Sequence, residues 1–161
     1  MGKRMVRIRI HEDDEGVRNL YPLAALAEAE ADVESARRHG EEHRAPGGAG
    51  WRKAYAIEEP AVTYRSLNLK AADVAAALAG VLPRVDEFEV GFGAGNPFHR
   101  LDLDPQCYGF GPELYVKLET DGEYLAHIWF DVRWAEPEKI AALRRALEAV
   151  ERVVPSAVAD Y

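Results

Sequence analysis

His127, Trp129, Asp131 and Arg133 alternate along one stretch of this 161-residue chain, so in a strand all four project from the same face. An imidazole, an indole, a carboxylate and a guanidinium on a half-apolar surface is the composition of a binding pocket. Histidine titrates near working pH, and Asp131 could orient the ring or hold it charged. The two lie about 13 Å apart along an extended strand, so they would face one ligand rather than bond each other. The plainer reading is a histidine packed against tryptophan, with Asp131 and Arg133 as a surface ion pair.

Cys107 is the single cysteine, which excludes an internal disulfide and a Cys-rich zinc site. As a nucleophile it would need a base and an orienting group. His99 with Asp102 or Asp104 could supply them, or His127 could; the bland alternative is a small buried hydrophobe. Gly91, Gly93 and Gly95 invite a phosphate-loop reading, but Pro97 and Phe98 follow with no helix start and no Lys-Ser/Thr pair, so a flexible connection is expected. Asp102 and Asp104, with His99 or the acidic turn His11–Glu15, offer oxygen ligands for a divalent ion. The turn lacks the glycine and ligand spacing of a calcium loop and reads as solvated charge, and neither a metal nor a cofactor is expected.

The element that must position the first group is a hairpin. Leu114–Thr120 and Glu123–Trp134 flank Asp121-Gly122, a preferred pair for a two-residue type I′ turn. That turn would set Leu118 opposite Leu125, Val116 opposite His127 and Leu114 opposite Trp129. Leu114, Val116 and Leu118 would then share a face with His127, Trp129, Asp131 and Arg133. Tyr115, Lys117, Ile128, Phe130, Val132 and Trp134 would share the other, and this second side is expected to meet the helices. Both faces carry large apolar groups, so cover on both sides is expected, at least in part.

Elsewhere Val6, Ile8 and Ile10 alternate with Arg7 and Arg9 as a half-buried strand. Asn19 reads as the cap of a helix with Pro22 in its first turn, stopping near Gly40. Gly40 to Gly50 reads as a mobile loop. Tyr55 to Ile57 and Val62 to Leu69 read as strands, Ala71 to Leu82 as a helix and Phe88 to Phe92 as a strand. Gly91 to Gly111 reads as irregular, and Pro137 opens an amphipathic helix through Ile140, Leu143, Leu147, Val150 and Val154. The order lacks strict strand–helix alternation, so the expected class is α+β: one domain over residues 1–161, a largely antiparallel sheet with about three helices mainly on one face.

The formal charge of −8 argues against a broad nucleic-acid surface and suits a basic protein partner. No apolar run is long enough to span a bilayer and no secretory leader is evident, so a soluble cytoplasmic protein is expected. Three roles follow. The first is a small acidic protein-binding module, an inhibitor or immunity-type protein. The second is a small-molecule binder or enzyme using the hairpin face, with the Gly91 to Gly111 segment as its lid. The third is a self-associating homodimer joined through strand edges.

Overall fold

The structure is a computed structural model, and it describes residues 4–47 and 60–160. Its elements run β1 (Arg7–Ile10), β2 (Arg18–Pro22), α1 (Leu26–Glu42), α2 (Ala71–Ala79), β3 (Glu87–Val90), β4 (Arg100–Asp102), β5 (Cys107–Gly111), β6 (Leu114–Asp121), β7 (Tyr124–Val132), α3 (Pro137–Val153) and β8 (Ser156–Asp160). The fold is α+β, with mostly antiparallel strands in two sheets. Five strands lie in the order β5-β6-β7-β2-β8, and three in the order β1-β3-β4, where β1 and β3 are parallel.

Two hydrophobic clusters hold these layers. On one face of the larger sheet, Leu20, Leu114, Val116, Leu118, Ile128 and Phe130 pack with Val74 and Leu78 of α2 and with Ala142, Leu143, Ala146 and Val150 of α3. On the opposite face, Cys107, Tyr115 and Trp129 meet Ile8, Ile10, Phe88 and Val90 of the smaller sheet. The hairpin is therefore covered on both sides, and the Ile128–Phe130 side does meet the helices. Helix α1 instead touches β2 and β8 and buries only Ala29.

Several local readings are corrected. Arg18–Pro22 is a strand rather than a helix start, because it pairs on both sides, with β7 and β8. Asn19 does not cap a helix: its side-chain amide donates to the Gly16 carbonyl at 2.6 Å. Helix α1 passes through Gly40 to Glu42, and the Arg37–Glu41 ion pair at 2.6 Å spans the glycine. Residues 62–69 form turns rather than a strand. Thr63 and Ser66 accept hydrogen bonds from each other's backbone N–H, and Asn68 sits at φ 53°. Helix α2 ends at Ala79, although Leu82 is still buried. The strand expected at Tyr55 to Ile57, and residues 48–50 of the expected loop, lie outside the described residues.

Gly91 to Gly111 is not uniformly irregular, since it contains β4 and β5. Strand β5 needs its glycine. A Cβ on Gly109 would stand 2.4 Å from the Leu114 carbonyl oxygen, so only glycine permits this approach of β5 to β6. After Gly91, Gly93 and Gly95, which have φ between 69° and 108°, the chain enters β4 and not a helix.

Candidate functional site

The hairpin forms at the expected place in a different register. Gly122, at φ 60°, is the first loop residue and Glu123 the second, because Asp121 already pairs with Tyr124. The pairing then slips once more: Thr120 faces Leu125 but Glu119 faces His127, leaving Ala126 as the extra residue of a bulge. A one-residue slip exchanges the faces of a strand. His127, Trp129 and Asp131 accordingly stand beside Glu119, Lys117 and Tyr115, and not beside the leucines and valine expected there.

Trp129 is 3% exposed, and its indole N–H donates to Glu119 Oε1 at 3.2 Å. Asp131 is equally buried between two guanidiniums, accepting from Arg18 at 3.1 Å and from Arg133 at 2.7 Å. Arg133 also reaches Asp14 at 3.0 Å, and the hydrogen bonds it donates to Asp14 and then to Asp131 push its pKa up. His127 is exposed on the strand opposite Glu119. Most of the row is thus closed by the smaller sheet and its own ion pairs.

Cys107 is fully buried on β5 with Lys117 as its cross-strand neighbour, and burial drives its thiol pKa up, the reverse of what a nucleophile needs. His99 lies before β4 and its Nε2 is 3.0 Å from Glu89 Oε1. Cys107 is therefore buried on β5, while His99 lies before β4 and His127 is exposed on β7. Asp104 pairs with Arg84 at 2.7 Å, and His11 with Asp13 at 3.3 Å. Among the described residues no group of three or more His, Cys, Asp or Glu could hold a metal ion.

Two concave features lie elsewhere. The first is a cleft of about 330 Å³ where β4 diverges from β6, with Phe88, Val90 and Leu101 as apolar lining and Arg100, Asp102, Lys117, Glu119 and Glu15 as charged walls. The second is a groove of about 320 Å³ between α3 and β8, lined chiefly by Leu20, Ile140, Leu143, Leu147 and Val158, with Arg144, Glu148 and Glu151 on its rim. Neither was found from sequence. The cleft depends on the bulge and on inter-sheet packing. The groove had a partial signal: the apolar stripe of α3 is wider than its buried part, so Ile140 stays 48% exposed.

The chain matches no family model, no curated protein and no solved structure. Among the described residues no helix is long and apolar enough to cross a membrane.

Proposed function

We propose that the chain is a small acidic protein-binding module of the cytoplasm, an inhibitor or immunity-type protein, that accepts an extended segment of a basic partner along β8. The observation that carries this reading is the last strand of the five-stranded sheet lying beside an apolar groove. Among the described residues β8 pairs only with β2, and Val158 next to the groove is 49% exposed. An added strand would gain backbone hydrogen bonds from this edge, and its alternate side chains would enter the groove. Glu151 on the rim, together with a chain charge of −8, favours Lys or Arg at the intervening positions. Arg144 on the same rim is already held by Glu148 at 3.1 Å. The closed hairpin row and the buried Cys107 give less support to chemistry there.

The test is a selection from a random peptide display library on the immobilised protein at low salt. Peptides alternating apolar residues with Lys or Arg should be enriched, bind more weakly as salt rises, and be lost in a Val158→Lys variant of unchanged melting temperature. Equal enrichment on Val158→Lys, or none on either, overturns the reading. So does a stable dimer in sedimentation that Val158→Lys dissociates, since the edge would then belong to a second copy.

A further inference from the structure

The cleft between β4 and β6 holds a charged arrangement that core packing does not require. Register places Asp102 opposite Phe88 and Arg100 opposite Val90, so both charges on this edge strand share a face with buried apolar residues and line the cleft. Inward charge on an edge strand guards against unwanted pairing. It does not by itself call for a lysine on the opposite wall.

Lys117 is that lysine. It is 8% exposed, and its ammonium lies 5.5 Å over the Phe88 ring. A lysine carries three N–H donors. Here one goes to the Leu118 carbonyl at 3.2 Å and a longer one to Glu119 Oε1 at 3.4 Å, an oxygen that also receives the Trp129 indole N–H. Arg100 is engaged by Glu15. Asp102 accepts the Asp104 backbone N–H through Oδ1 and has no cationic partner among the described residues. After this accounting, and among the described residues, Arg100 and Glu119 each already stand in an ion pair, while Lys117 keeps one N–H without an acceptor on the β6 wall, and Asp102 is the carboxylate without a cation on the β4 wall. Between them lies an apolar lining of Phe88, Val90 and Leu101.

We propose that this cleft binds a small zwitterion of the α-amino-acid class, with its carboxylate on Lys117, its ammonium on Asp102 and a small apolar side chain against Phe88 and Val90. A ligand with a single charge would leave one wall unanswered. The volume stands at the small end of the range of about 300–1,000 Å³ typical of ligand pockets. Trp129 reports occupancy, because its indole N–H shares Glu119 Oε1 with Lys117.

The experiment titrates L-alanine, L-valine and L-leucine into the full chain by calorimetry. In parallel, Trp129 emission is followed in a Trp51→Phe, Trp134→Phe background. At least one amino acid should bind with a dissociation constant below about 1 mM and shift the emission. The matched acids propionate, isovalerate and 4-methylvalerate should bind roughly tenfold or more weakly, as should the matched amines. Lys117→Met and Asp102→Asn should each weaken binding by roughly ten- to a hundredfold. Asp102→Asn is the control should the Lys117 variant fail to fold, because residue 102 is exposed. Val158→Lys should leave the titration unchanged. No heat and no emission change up to about 10 mM of any amino acid overturns the proposal. So does equal binding of the acids, which would make the cleft a plain anion site.

Discussion

At the β6–β7 end of the larger sheet both faces are covered, one by α2 and α3 and the other by the smaller sheet. At the β8 end, among the described residues, the last strand pairs on one side only, with β2, and α3 beside it leaves a groove. The covered end holds three of the candidate site residues, Cys107, Trp129 and Asp131. The open end is built from alanines, valines, leucines and an ordinary amphipathic helix. The difference separates chemical potential from access. Cys107, Trp129 and Asp131 are buried in the fold, while plain side chains at the other end line a groove. Residue type therefore points to one end of the sheet and access to the other.

The largest test of this contrast is truncation. Trp129 sits in edge-to-face contact with Tyr115 at 5.6 Å and Phe88 at 6.0 Å, and it joins the two sheets. Trp129→Ala should destabilise the protein by about 3–5 kcal/mol in urea unfolding. Leu147→Ala in the half-covered groove should cost less than about half of that. Equal costs at the two sites would remove the distinction between covered and open.

How much of this was legible follows from where each signal resides. The hairpin, α3 and the α+β class rest on local pattern: alternation, a turn glycine, a helical period. They survive in the structure because tertiary packing agrees with that pattern. What failed depended on the partner strand. Asn19 and Pro22 look like a helix start, yet two flanking strands hold them extended. Gly109 and Gly111 look like punctuation, yet Gly109 lets β5 lie against β6. The bulge at Ala126 decides the candidate site, and nothing in a stretch of alternating residues marks where a strand will hold one extra. His127, Trp129 and Asp131 keep a common side because they belong to one strand. Their cross-strand company of Glu119, Lys117 and Tyr115 could only come from the pairing.

The covered end can be sharpened at a single atom. Among the described residues the buried Tyr115 hydroxyl has no hydrogen-bond partner, and burial, followed by the nearby Asp131 carboxylate, raises its pKa. An unmet buried hydroxyl costs about 1–3 kcal/mol. Tyr115→Phe removes it while keeping the ring, so the variant should be more stable by up to that amount. A loss of stability would mean that the hydroxyl has a partner and that this end is less dry than the contacts between the sheets imply.

The smallest effect is a slope with pH. Burial raises the Cys107 thiol above its ordinary 9.0, with Lys117 opposing the shift through its charge. A group whose pKa is raised in the folded state favours folding fully below its unfolded value. Above that value the unfolded chain releases a proton that the folded chain keeps. Stability should therefore be flat with respect to this group up to pH 9. It should then fall by about 1.4 kcal/mol per pH unit. Tyr64, raised by burial to about 12 against an ordinary 10.0, adds a similar decline only above pH 10. Between pH 9 and 10 the slope belongs mainly to the thiol, so urea unfolding of Cys107→Ala across that interval should show it flattened. A slope that survives the substitution would place the thiol in contact with water. It would also break the contrast at its most secluded residue.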